Sequence, residues 1–221
     1  FESLFRDGLK NFQGLKIEQL WTDKSTYKVI KLDFSRVKPE GTFEDFCQYF
    51  DNYLEAQFSL IGFKKEDNGL FLSNQIEIFL AGLSSSSLVL LIDEYDAPLT
   101  ACLDNKEFFE RVRNYLSRFY GILKANDRVL RFLFITGITK FNKTSIFSEL
   151  NNLSDVSLSP RFGTLLGYTH EEVETYFDGY LTQSASVLSV SRDELLRSLT
   201  KQYDGFCFER TTTKKVFAPW S

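Results

Sequence analysis

The sequence has 221 residues, of which 43% are hydrophobic and 25% are charged, the balance of an ordinary globular protein. The net charge of −4 argues against broad electrostatic wrapping of nucleic acid, although it leaves room for a local basic patch. No apolar run approaches the roughly 18 residues needed to span a bilayer, so we predict a soluble protein that does not enter a membrane.

Cysteine and histidine are too few and too dispersed for a zinc site or a His-rich metal centre. The three cysteines are odd in number and far apart, which is typical of reduced thiols and predicts a cytoplasmic location. The single histidine, His170, lies inside a capping-box pattern formed by Thr169 and Glu172. We therefore expect His170 to be an exposed residue in the first turn of a helix.

The first half of the chain alternates strand and helix patterns. Residues 27–35 alternate apolar and polar side chains, which predicts a strand. Residues 43–58 carry aromatic side chains at helical spacing after Thr42, a favourable N-cap, and residues 69–83 predict another helix. The run 88–92 is continuously apolar, as a strand buried on both faces requires.

A long helix and a second buried strand follow. Residues 104–125 carry an apolar stripe at helical spacing, and Asp104 with Glu107 three residues later predicts the helix start. Residues 130–141 predict a strand that leads into polar side chains, of which Thr136 is the first. Two apolar strands separated by a helix are typical of a parallel sheet with helices on both faces.

The last third of the chain is predominantly helical. We predict a short helix over 144–150, an extended segment at 155–159, and helices that begin at the capping boxes after Thr169 and Ser191. The last helix is predicted to end with Gly205 in a left-handed conformation.

Acidic and polar side chains follow the predicted strand ends. In parallel sheets ligands bind beyond the carboxyl ends of the strands, where Asp93, Glu94, Thr136 and Lys140 fall. Four apolar residues before Asp-Glu form the Walker B pattern of P-loop NTPases, in which the first acid holds Mg²⁺ and the second activates the attacking water. The same sequence pattern also occurs at an ordinary junction between a strand and a turn, in which Asp93 would be the N-cap of the turn. Asp96 is interpreted as a turn acid rather than a metal ligand.

An ordered series of motifs runs along the chain: LIDEYDAPL, LRFLFITGITKF, SPRF, YDGFCF and KVFAPWS. Together they closely resemble the bacterial AAA-ATPase-like family. The resemblance implies a P-loop NTPase core of the AAA/ASCE type over 1–168 and a small helical, lid-like subdomain over 169–221, truncated at its C-terminus. Members are commonly followed by a nuclease-like domain of the PD-(D/E)XK type, which would lie beyond Ser221.

The same resemblance implies roles for the acids. Asp93 would be the acid on the Mg²⁺ side of Mg-ATP, and Glu94 would be the catalytic acid. ATP and Mg²⁺ are the implied cofactors.

The remaining polar residues are assigned in the same way. Thr136, or alternatively Thr139, would be the polar sensor after the strand. Lys140 and Arg161 would be the cations that face the phosphates, with Arg161 acting in trans as a catalytic finger.

One part of the family pattern is missing from the 221 residues. The family opens with a strand and a Gly-rich loop ending in Gly-Lys-Ser or Gly-Lys-Thr, whose N–H groups and lysine hold the phosphates. No G-x-x-x-x-G-K-[ST] occurs here, and residues 1–14 resemble the end of the helix that follows such a loop. We therefore predict a core without its first strand and Walker A segment, inactive as it stands.

Three classes of function stay open. The first is an AAA-like ATPase whose complete protein hydrolyses Mg-ATP to drive a conformational or assembly switch, with a homo-oligomer as the implied assembly. The second is a catalytically inactive, P-loop-derived scaffold or interaction module. The third is a nuclease, which is disfavoured because no D…(D/E)-x-K arrangement follows a predicted hairpin. The expected partner is a nucleotide, and the net charge does not support nucleic acid.

Overall fold

The structure, a computed structural model, describes residues 1–139, 153–211 and 213–218. The chain divides into two compact units, Phe1–Asn151 and Asn152–Ser221. The predicted helix at 144–150 lies outside the described residues, and the predicted boundary after residue 168 stays a prediction. Among the helices of the described part, none is long and apolar enough to cross a membrane.

The first unit contains three strands and six α-helices within its described residues. The strands are β1 (Lys28–Asp33), β2 (Leu88–Asp93) and β3 (Leu130–Ile135). The helices are α1 (Glu2–Asp7), α2 (Ile17–Leu20), α3 (Phe43–Ser59), α4 (Leu72–Ala81), α5 (Ala97–Thr100) and α6 (Lys106–Ala125).

The three strands form one parallel sheet in the order β1-β2-β3. Because all three run in the same direction, their carboxyl ends meet at one edge. The register pairs Asp33 with Asp93 and Ile92 with Ile135. The α/β class and the parallel sheet predicted from the sequence are confirmed.

Apolar side chains cover both faces of the sheet. On one face, the even-numbered residues of β1 and β2 pack against α3, α4 and α6 in the main core. On the other face, Phe5 of α1 packs with Val29, Val89 and Leu91. The aromatic stripes of the long helices belong to the main core, where the buried rings include those of Phe34, Phe46, Phe50, Phe58, Phe119 and Tyr120.

Local hydrogen bonds explain where the long helices begin. Thr42 is the N-cap of α3, as predicted. Its hydroxyl accepts from the Asp45 backbone N–H, and the Asp45 carboxylate accepts from the Thr42 N–H, which completes a capping box. The N-cap of α6 is Asn105, whose side chain accepts from the Phe108 N–H at 3.1 Å, rather than the predicted Asp104. Asn and Asp cap equally well, so the sequence pattern alone could not separate the two positions.

Two extended segments differ from the prediction. β3 ends at Ile135, directly before the polar residue Thr136 as predicted, but it is half-buried along most of its length rather than fully buried. Residues 155–159 form no strand, because the Asp155 carboxylate accepts from the Ser157 N–H at 3.1 Å. Such a side-chain turn competes with strand geometry.

The second unit is helical, with α7 (His170–Tyr176), α8 (Asp178–Leu188) and α9 (Arg192–Tyr203). The capping boxes at Thr169 and Ser191 start α7 and α9 as predicted. The helices pack on a small core, made of Val173, Leu181, Ala185, Leu195 and Phe217. Gly205 follows α9 with a positive φ of 110°, a backbone conformation that favours glycine.

His170 opens α7, as predicted, with its side chain half exposed. Its Nε2 lies 3.0 Å from a carboxylate oxygen of Asp204, and its ring contacts that of Phe217 with centroids 4.7 Å apart. These contacts tie the start of α7 to the segment after α9.

Candidate active site at the carboxyl edge of the sheet

Asp93 and Thr136 meet at the carboxyl edge of the sheet. Asp93 is the last residue of β2, and Thr136 comes directly after β3. The Thr136 backbone N–H donates to the Ile92 carbonyl at 2.8 Å, which continues the strand pairing by one residue. As a result, the Thr136 hydroxyl donates a hydrogen bond to Oδ1 of Asp93.

Asp93 is exposed and keeps one oxygen available. Its Oδ1 also accepts from the Glu94 N–H at 3.1 Å, whereas Oδ2 takes part in no hydrogen bond with any described residue. Asp33, its register partner on β1, is directed to its own turn, where Oδ1 accepts from the N–H and the hydroxyl of Ser35. Of these two register partners, Asp93 is the exposed one, and its Oδ2 is available at the edge of the sheet.

Glu94 adopts a left-handed backbone conformation with φ of 48°. For a residue with a side chain this conformation costs about 1–2 kcal/mol. The geometry is held because the next residue, Tyr95, donates its N–H to the Thr136 carbonyl at 3.0 Å. The Glu94 carboxylate forms no hydrogen bond or ion pair within the described part of the chain. Backbone strain of this kind is characteristic of functional sites.

Asp96 is a buried carboxylate that holds the loop after β3. It is 3% exposed, and its two oxygens accept from the backbone N–H groups of Ile138, at 3.2 Å, and Thr139, at 2.6 Å. Asp96 occupies the N-cap position of α5, in keeping with a turn acid, but its side chain makes no capping bond there. Sequence reasoning missed this bracing role, although a third acid so close to the Walker B pair was a visible signal.

Tyr95 and Gly137 also connect the loop after β2 with the loop after β3. We call their contacts, together with those of Asp96, the brace. The Tyr95 hydroxyl donates to the Thr139 carbonyl at 2.7 Å. A Cβ placed on Gly137 would lie 2.5 Å from the Tyr95 ring and 2.6 Å from Oδ1 of Asp96, so the site requires glycine. Burial raises the pKa of the Tyr120 hydroxyl, and the nearby Tyr95 and Asp96 raise it further.

The two candidate sensors are placed differently. Thr136 directs its hydroxyl at Asp93, whereas Thr139 contributes its backbone N–H and carbonyl to the brace. The two predicted cations lie outside the described residues of the first unit. Lys140 lies outside the described residues. Arg161 belongs to the second unit, where it is exposed in a 3₁₀ turn, Pro160–Phe162.

The donors at this edge suit a magnesium ion that is shared with a phosphate ligand. Mg²⁺ in phosphate-transfer sites is held by one or two carboxylates together with substrate phosphates and waters, rather than by a cage of protein ligands. Asp93 and Glu94 supply two exposed or half-exposed carboxylates on adjacent residues. No group of three or more His, Cys, Asp or Glu that could hold a metal occurs among the described residues.

A protein-family match covers the three strands that form this edge of the sheet. The model of the family described as "Predicted AAA-ATPase" matches residues 1–147, which include β1, β2 and β3 and the loops that carry Asp93 and Thr136. The chain belongs to the predicted AAA-ATPase family. The family membership that the motifs implied is thereby confirmed, while the matched residues end before the second unit begins.

One curated relative of this predicted AAA-ATPase is the uncharacterized protein in the vnfD 5′ region of Azotobacter chroococcum mcd 1. It is 28% identical over 186 residues, an alignment that covers 80% of this chain and 36% of the relative. The chain thus spans about a third of the length of the curated protein it matches. No solved structure matches the chain.

Proposed function

We propose that this chain supplies the Walker B part of an ATPase that binds and hydrolyses Mg-ATP to drive a conformational or assembly switch. The observation that carries the proposal is the meeting of Asp93 and Thr136 at the carboxyl edge of two parallel strands. Membership of the predicted AAA-ATPase family supports the same function. Ligands in parallel sheets bind at this edge.

Each acid has a distinct part in the proposed reaction. Asp93 keeps an available Oδ2 and an exposed position, which suit an acid that contacts magnesium directly or through water. Bound Mg²⁺ would neutralise charge on the phosphates of ATP. Glu94 carries a carboxylate without a protein partner among the described residues, so it is available to accept a proton from the attacking water.

Thr136 orients Asp93 in this proposal and senses the γ-phosphate at the end of β3. Lys140 and Arg161 remain proposed phosphate contacts, with Arg161 acting in trans as a catalytic residue. Self-association, a nuclease-like domain beyond Ser221 and a cytoplasmic location are further proposals that rest on the family resemblance.

A second candidate function is a scaffold derived from a P-loop NTPase that binds without turnover. The 221 residues contain no Walker A pattern, so they leave this alternative open. Without those backbone N–H groups and that lysine, the main phosphate-binding element of the class is missing. The two functions differ in whether the complete protein releases phosphate.

The deciding experiment measures phosphate release by a full-length protein that contains a P-loop. Glu94→Gln should abolish turnover and leave ATP bound, because the amide keeps the size of the side chain and removes the base. Asp93→Ala should instead weaken Mg-ATP binding. Glu107→Gln, the same change at an exposed residue of α6, is the matched control and should hydrolyse ATP at the wild-type rate. Equal, measurable rates for wild type and Glu94→Gln would remove Glu94 from the mechanism, whereas absence of phosphate release by the wild type would favour the scaffold.

A further inference from the structure

The segment after α9 is built around one buried carboxylate. Glu209 is 3% exposed and accepts from the backbone N–H groups of Thr211, Thr213 and Lys214 at 3.2, 2.7 and 3.0 Å. The hydroxyls of both threonines also donate to it. These bonds lower the pKa of Glu209 to about 2. The negative charge is thus directed inward, towards the backbone of its own loop.

A second segment of the same unit lies against this loop. The Arg210 N–H donates to the Leu158 carbonyl at 3.2 Å. A Cβ placed on Gly163 would lie 2.9 Å from Cγ of Glu209, so the backbone there closely approaches the buried side chain. The 3₁₀ turn that carries Arg161 lies between these two contacts along the chain.

The two segments in contact carry four basic residues, Arg161, Arg210, Lys214 and Lys215, which we call the basic surface. All four residues are exposed, and none of them forms an ion pair within the described part of the chain. The acids on these segments are Glu209, which is directed inward, Asp155, which accepts from the Ser157 N–H, and Asp204, which lies 3.0 Å from Nε2 of His170. The two segments therefore carry an excess of positive charge in a chain that is acidic as a whole.

Aromatic rings belong to the same two segments. Phe206 is 44% exposed and stacks on Phe208 with centroids 6.5 Å apart and planes at 16°. Phe162, next to Arg161, is 36% exposed. Exposed rings beside cations are the combination that holds single-stranded nucleic acid, because cations contact phosphates and rings stack with bases.

We propose that the basic surface binds single-stranded nucleic acid, with Phe206 as a stacking platform for a base. The exposed rings favour a single strand over a duplex, whose bases are not free to stack on protein. The proposal concerns the second unit and does not depend on ATP hydrolysis.

Fluorescence anisotropy of a labelled oligo(dT) strand with the 221-residue chain tests the proposal. Wild type should bind in a salt-dependent manner, and Arg210→Gln with Lys214→Gln and Lys215→Gln should weaken binding at least tenfold. Because each lost phosphate contact reduces the salt slope by about 0.7, the triple variant should lower the slope by about 2. Its matched control neutralises three exposed lysines of the first unit, Lys10, Lys16 and Lys24, and should bind as wild type does.

Phe206→Leu separates nucleic acid from other polyanions, because it removes the ring and keeps apolar bulk. It should weaken oligo(dT) binding several-fold and leave binding of inorganic polyphosphate unchanged. Absence of binding by wild type, or equal loss in the triple variant and its control, would overturn the proposal. An unchanged affinity of Phe206→Leu for oligo(dT) would also overturn it, since the surface would then recognise phosphate alone.

Discussion

The hydroxyl of Thr136 donates a hydrogen bond to Oδ1 of Asp93, although the two residues are 43 positions apart in the sequence. The bond joins the end of β2 to the end of β3 and fixes the orientation of the carboxylate. It leaves Oδ2 of Asp93 available at the edge of the sheet. A change at either residue is therefore expected to alter the chemistry of the other.

Replacement of Thr136 by valine should lower ATP turnover in a full-length protein that contains a P-loop. Valine keeps the shape of threonine but has no hydroxyl to orient Asp93, so we expect a loss of tenfold or more in kcat and about 1 kcal/mol in stability. Thr136→Ser, which keeps the hydroxyl, is the control and should retain most of the activity. Phosphate-release kinetics and thermal unfolding measure the two effects, and equal kcat values for the two variants would contradict the prediction.

Replacement of Glu94 by glycine should give a more stable chain than replacement by alanine. The left-handed backbone at Glu94 disfavours any Cβ, so Glu94→Gly should exceed Glu94→Ala by about 1 kcal/mol in the free energy of unfolding. At Glu107, in the first turn of α6, the order should reverse, because glycine weakens an ordinary helix by roughly 0.5–1 kcal/mol. Urea unfolding of the four variants measures both differences. The same order at both positions would show that the Glu94 backbone is not strained.

Replacement of Asp96 by asparagine should destabilise the first unit. One carboxylate oxygen becomes an NH₂ group that faces a backbone N–H of the loop after β3, so a buried acceptor is lost. We expect a cost of about 2–3 kcal/mol. Asp104→Asn makes the same chemical change at an exposed residue and should stay within about 0.5 kcal/mol of wild type. Equal unfolding midpoints for the two variants would show that the Asp96 carboxylate does not stabilise the loop after β3.

Acidification should release the loop that surrounds Glu209. Its pKa is lowered from 4.5 to about 2 by hydrogen bonds from Thr211 and Thr213. A lowered pKa in the folded state contributes stability above the unfolded value, and this contribution is lost as the pH falls from about 4.5 to about 2. Asp23 in the first unit also has a pKa of about 2, so a residue-specific measurement is needed. Carboxyl-carbon NMR should give a Glu209 midpoint near 2, and a midpoint above 4 would contradict the prediction.

The 221-residue chain alone should bind Mg-ATP weakly. The loop N–H groups and the lysine that hold phosphates in P-loop NTPases have no counterpart in its sequence, and exposed charge pairs add only about 0–1 kcal/mol each. We expect a millimolar dissociation constant or weaker in titration calorimetry, which is roughly −4 kcal/mol. A micromolar constant would show that other residues of this chain build the phosphate site.

The sequence by itself determined the elements of the fold and the position of the acids in the chain. Continuous apolar runs predict the strands that begin at residues 88 and 130, the N-cap Thr42 predicts the start of α3, and capping boxes predict the starts of α7 and α9. These features are local, because a strand pattern and an N-cap depend on residues a few positions apart.

The tertiary structure decided which side chains meet. A shift in register between Leu88 and Val89 pairs Val89 with Phe132 and, further along, Ile92 with Ile135. Without that one-residue shift, Asp93 would lie opposite Ile135, and Thr136 would project from the other face of the sheet. The brace at Asp96 and the approach of Gly163 to Glu209 likewise join segments that are far apart in the sequence. Such contacts follow from how strands and loops pack in space, which the pattern of one strand does not specify.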